Sequence, residues 1–263
     1  MSKTNFFVKY LNNINNFINS LLEKNLNKLN SKNFSFLFKN NKIILIFVAL
    51  FVVFLSYILL PTFYKQSEIS RVLKTQLQSR FDLNFKFTED IKYNLFPRPH
   101  FITNESTIFI DQGKISKVNK LKIFISLENL FSSNKIEIED LIFENANFNL
   151  NKKNYNFFHN LLNQNFMNGN LIIKNSNIFF RNSNDEVLFI NKILKMKYHH
   201  ETKELKNIFN SDNEIFNIPF SLESFFNENE NKIYSKINFN LMKIKINKEL
   251  TLNNKNKIGK SEL

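Results

Sequence analysis

An apolar run over residues 43–60, interrupted only by Ser56 and Tyr57 and closed by Pro61, constrains this chain more than any other feature. Its length approaches the ~20 helical residues that a hydrocarbon core ~30 Å thick demands, and Thr62 and Phe63 can carry it into the interface. We therefore read residues 43–63 as one transmembrane helix. A cleaved secretory signal would need an apolar core of about 7–15 residues ending at a small-residue site, and the PTFYKQSEIS that follows the run offers none. The expectation is an uncleaved anchor with a tail before it and a larger body after it.

The net charge of +13 raises the question of nucleic acid, and its distribution argues against it. Seven lysines face one glutamate over residues 1–42, and six lysines face two glutamates after residue 242. What remains between them is too dilute to track phosphates, so no nucleic-acid partner is expected. Part of the lysine excess also accompanies Asn, Ile and Phe, residues with AT-rich codons. The absence of cysteine excludes disulfides, thiolate metal sites and cysteine nucleophiles. Lys24, Lys28, Lys32, Lys39 and Lys42 before the span, with Lys3 and Lys9 further out, outweigh Lys65, Arg71, Lys74 and Arg80 after it, which places the N-terminus in the cytoplasm.

Within the 1–42 tail, Phe7, Tyr10, Leu11, Ile14, Phe17, Ile18, Leu21 and Leu22 recur at threes and fours. They fit an amphipathic helix on the membrane surface, and the many Asn residues fit equally a weakly ordered tail. Residues 64–81 read as a short helix with Ile69, Val72, Leu73 and Leu77 on one side. From Leu83 the period changes to two, and short strand-like runs follow. Leu121, Ile123, Ile125 and Leu127 alternate with polar residues; Ile136 and Ile138, then Ala146, Phe148 and Leu150, do the same. After a helix-like patch over 155–167 come Leu171 and Ile173, Ile178 and Phe180, Met196 and Tyr198, and Ile237 and Phe239. The fold class expected is mainly β with an N-terminal transmembrane helix: a curved antiparallel sheet or groove with one or two short helices. Residues 64–242 form the β domain, and 243–263 read as a basic, disordered tail. An apolar sheet face must be buried, either on itself, in a partner protein, or against acyl chains in an open gutter.

Chemistry is sparse. Three glycines cannot build a phosphate loop or a nucleophile elbow. His199 and His200, adjacent on a strand, would point to opposite faces and could not share an ion. A His200–Glu204 metal pair lacks further ligands, so no metal, cofactor or catalytic residue is expected. Glu137, Glu139 and Asp140 read as the charged exterior of a sheet, and residues 175–177 as a connecting turn.

The order of segments after the anchor resembles the N-terminal region of the AsmA-like family, relatives of TamB and of repeating β-groove lipid-transfer proteins. Four stretches carry the resemblance: LQSRFDLNFKF, IKYNLFPRPHFITNESTIFID, LKIFISLENLFSSNKIEIEDLIFENANFNLNKKNYNF, and MNGNLIIKNSNIFFRN followed by IFNIPFSLESFF. Tyr93 stands where the family often has tryptophan, and Leu83-Asn84 replaces a usual Thr-Gly turn. The resemblance implies a single-pass bacterial inner-membrane protein with a periplasmic β domain, assisting outer-membrane biogenesis by binding or transferring phospholipid. Leu121, Ile123, Ile125, Leu127, Ile136, Ile138, Leu171, Ile173, Ile178 and Phe180 are then the candidate lipid-binding residues of an apolar groove. The alternative is a structural adaptor that docks on envelope protein partners and holds no lipid.

Overall fold

The computed structural model describes residues 42–88, 90–110, 113–163, 169–201, 206–227, 230, 232–252 and 257–262. The periodicity read in the 1–42 tail lies outside them, except for Lys42. The chain divides into two compact units, Met1–Ser56 and Tyr57–Leu263. In the first, helix α1 (Lys42–Leu59, its last residues belonging to the second unit) leaves Phe47, Leu50, Val53 and Phe54 exposed. The stretch Ile46–Phe63 has mean hydropathy 2.5 and is long and apolar enough to cross a membrane.

The second unit is mainly β. Helix α2 (Gln66–Phe81) precedes β1 (Asn84–Lys86), β2 (Lys92–Asn94), β3 (His100–Ile110), β4 (Gly113–Ile125) and β5 (Ile138–Leu150). After the short helix α3 (Phe157–Asn160) come β6 (Leu171–Arg181), β7 (Val187–Glu201), β8 (Lys206–Ile215), β9 (Ile218–Asn227), β10 (Lys232–Phe239), β11 (Ile244–Leu252) and β12 (Lys257–Glu262). Among the described residues, all twelve strands belong to one sheet in the order β1-β3-β4-β5-β6-β7-β8-β9-β10-β11-β12, with β2 also paired to β3. The sheet is antiparallel throughout except for β5 and β6, which are parallel. A parallel pair cannot be closed by a tight turn, so the chain between them crosses a sheet face, and α3 with the 3-10 turn Leu161–Asn163 lies in that crossover.

The inner face, which carries the core, stays continuous through matched left-handed kinks. Asn145 and Asn175 adopt left-handed backbone (φ 55° and 48°) inside β5 and β6, and the ladder steps over both in register, from Glu144↔Lys174 to Asn147↔Asn177. Each kink resets the alternation, so Phe143 and Ala146, or Ile173 and Ser176, face the same way. Runs read from sequence as separate strands are therefore single long ones, and residues 175–177 lie within β6 rather than in a connector. The Asn177 amide donates across to Asn147 Oδ1 at 3.1 Å, and the Ala146 N–H donates to Ser176 Oγ at 2.9 Å.

The C-terminal expectation is also corrected. β11 and β12 extend the sheet past residue 242, with Ile237 opposite Ile246 and Ile233 opposite Leu250. The lysines of this stretch alternate with Ile244, Ile246 and Leu250, a period-two pattern that charge composition alone obscures.

Cover over the inner face is uneven. Ile69, Leu73, Leu77 and Phe81 of α2, spaced to share one helical face, are at most 2% exposed and pack over the first strands. The helix stops at Asp82, whose left-handed φ of 52° lets the Leu83 N–H reach back to Leu77 O. The side-chain amide of Gln76 ties α2 to the sheet, accepting from the Ile138 N–H at 2.9 Å and donating to Ile136 O. Further along, α3 and its 3-10 turn are held down by Tyr198 Oη donating to Phe158 O and Asn207 Nδ2 donating to Leu162 O, both at 2.8 Å. Gly169, at the end of the crossover, runs so close to the Glu139 carbonyl that a Cβ would lie 1.5 Å from its oxygen.

Candidate functional site

Seven of the ten candidate residues are closed off from any ligand. Leu121, Ile123, Ile125, Ile136, Ile138, Leu171 and Ile173 are at most 3% exposed and belong to the core under α2 and the crossover. Leu127 lies beyond the end of β4 in a bend, is 43% exposed, and offers only its carbonyl, which accepts from Tyr57 Oη at 2.7 Å. The sequence reading missed these closures because it gave the apolar side of the 64–81 helix no surface to cover. Its signal was available: an apolar face of four residues needs a surface to lie on.

Phe180, half-buried, and Ile178, itself only 4% exposed, do border open space. They form one end of a cavity of about 400 Å³ on the inner face of β5–β10, walled by Phe189, Met196, Phe209, Ile215, Phe220, Leu222 and Ile233 and roofed by Phe158, His159 and Leu162. Phe180 stacks on Phe189 across β6 and β7 with centroids 4.4 Å apart, and Phe220 meets Phe239 across β9 and β10 at 5.2 Å. Past the cavity the inner face stays apolar: Ile237, Phe239 and Ile246 are half-buried, and Ile244 is exposed. Hollows of similar size, about 360 and 370 Å³, lie over the outer face of β7–β11, but their walls are mostly Lys, Glu, Asp and Asn. Lining chemistry, rather than volume, singles out the inner cavity.

A polar row crosses the floor of that cavity. Asn191 Nδ2 donates to Asn213 Oδ1 at 3.4 Å, Asn213 Nδ2 donates to Ser211 Oγ at 2.7 Å, and Ser224 Oγ donates to Ser235 Oγ at 2.7 Å. Asn191 Oδ1 is buried without a partner. These residues explain why β8 shows no period-two apolar run in the sequence: on its inner face the order is Phe209, Ser211, Asn213, Ile215, which breaks the apolar repeat that marks β4–β6.

Titratable groups are arranged for structure. Burial drives the Tyr198 phenol well above its ordinary value, so it stays a neutral donor to Phe158 O. Burial also pushes Tyr93 up to about 12. His199 and His200 both fall in β7 and face opposite sides; burial lowers His199, and His200 Nδ1 lies 3.1 Å from Asn207 Oδ1. Glu204 lies outside the described residues. Among the described residues, no three His, Asp or Glu side chains gather as a metal site. Asp140 is a structural acceptor for the Asn170 backbone and side-chain N–H groups at 2.8 and 2.7 Å, and Arg98 pairs with both Asp140 and Glu139.

No protein-family model matches the chain, and no curated protein matches it significantly.

Proposed function

We propose that this is a membrane-anchored, non-enzymatic lipid-handling protein, in which the apolar cavity bounded by Phe180 and the partly bare inner face of β9–β11 beyond it receive phospholipid acyl chains. The observation that carries the reading is that this face keeps its apolar character where its cover ends. Exposed contiguous apolar surface on a sheet face is a mark of binding sites. Transfer of each methylene from water onto such a surface is worth ~0.8 kcal/mol, enough for several methylenes to hold a chain while its headgroup remains in solvent. Strands ~4.8 Å apart give the stretch from β6 to β11 a width of about 24 Å, comparable to an extended long acyl chain.

The setting follows from the resemblance: a bacterial inner membrane spanned once near residues 43–63, the N-terminus cytoplasmic, the β domain periplasmic, and a role in outer-membrane biogenesis. Purifying the full chain in a lipid-free polymer or detergent and analysing bound lipid by mass spectrometry tests the binding. Stoichiometric phospholipid supports it. A folded, lipid-free protein that crosslinks to one envelope protein through β8–β11 supports the adaptor reading, in which a partner protein closes the same face.

A further inference from the structure

We infer that two loops of the β domain, the turn after β2 and the loop between β4 and β5, sit in the membrane interface and seat the domain against the bilayer. This rests on reading residues 43–63 as the anchor.

The last turn of α1 is hydrogen-bonded into these loops. Tyr57 Oη donates to Leu127 O at 2.7 Å and accepts from the Leu130 N–H at 3.1 Å. Tyr64 Oη donates to Leu130 O, and Tyr93 Oη, one residue before the end of β2, donates to Ile58 O at 2.7 Å. Tyr57 and Ile58 fall inside the apolar stretch Ile46–Phe63, so whatever bonds to them shares the depth of its final turns. Irregular backbone is tolerated at that depth only when its polar groups are satisfied, and Tyr57 and Tyr64 satisfy the loop at Leu127 and Leu130.

The side chains these loops present are the ones an interface takes. Phe131 is 80% exposed with its ring 4.8 Å from Tyr57, Phe96 in the turn after β2 is 87% exposed, and Phe63 beside Tyr64 is 82% exposed. Bare Phe side chains are a liability in water, whereas Phe and Leu are among the residues that bury at the headgroup–acyl boundary of a membrane. Leu127, which fails as a groove residue, belongs to this set.

The chain contains no tryptophan, so each single substitution places one reporter. The full chain is reconstituted into vesicles containing brominated phosphatidylcholine, carrying Phe96→Trp, Phe131→Trp, Phe51→Trp in α1, or Phe216→Trp. Phe216 is also exposed, at 75%, but lies in the β8–β9 hairpin at the opposite strand ends. Loss of emission with a blue shift at positions 96 and 131, and neither at 216, is the expected result. Quenching at 51 with positions 96 and 131 no more affected than 216, or with only one of them affected, overturns the seat and leaves the anchor standing. No quenching at 51 overturns the anchor and the seat together.

Discussion

The two ends of this sheet are built from the same kind of strand and come to opposite ends. Over β1 and β3–β6, inward residues such as Leu121, Phe143 and Leu171 are wholly buried beneath α2 and the crossover. Over β8–β11, inward residues such as Phe220, Ile237 and Ile246 alternate in the same way and remain partly bare. Strand patterning therefore tells which face is apolar, while the elements packed above it decide how much of that face is buried. Among the described residues, the helices that pack on the sheet cover one end and leave the other partly bare.

That contrast can be broken by truncation. Leu77→Ala removes a fully buried lid residue and is expected to destabilise by about 3–5 kcal/mol, whereas Phe220→Ala, half-exposed on the open face, is expected to change stability by less than ~1 kcal/mol. Denaturant titration of both variants in the same detergent decides it; equal effects would mean that the open end is as much core as the roofed end. Gln76→Ala keeps the apolar lid and removes its bonds to residues 136 and 138. Leaving the buried Ile138 N–H without an acceptor is expected to cost about 1–3 kcal/mol by the same measurement.

The roof over the middle strands responds to pH. An unfolded chain releases the Tyr198 proton near 10, while burial holds the folded phenol protonated well above that. Above pH 10 the folded state therefore binds more protons, so the stability present below that pH is lost as pH climbs toward the folded value. Melting temperatures should fall on this alkaline limb. Tyr198→Phe should lower the neutral melting temperature slightly, through the lost bond to Phe158 O, and flatten the limb, leaving the smaller slope expected of Tyr93.

Much of this was legible in the sequence, and the failures have physical reasons. The apolar run, the helix at 64–81 and the strands from Leu83 onward were visible because period and length mark them. Residues 175–177 read as a connecting turn because Asn favours turns, yet Asn175, like Asn145 on the neighbouring strand, supplies one left-handed residue inside a strand that continues past it. Charge hid β11 and β12. Most of the candidate residues proved to be core, since the most regular alternation, at Leu121–Ile125 and Leu171–Ile173, belongs to surface that the fold covers completely. The open face is less regular because Ser211, Asn213, Ser224 and Ser235 interrupt it.

The most direct test of the central claim is site-specific photocrosslinking of the full chain in its native membrane, with a benzophenone amino acid at Phe220 on the inner face of β9 or at its neighbour-but-two Glu223 on the outer face. The account predicts acyl-chain adducts, identified by mass spectrometry, at 220 and none at 223. Equal labelling of the two positions, or no lipid at 220 in folded protein, would contradict it.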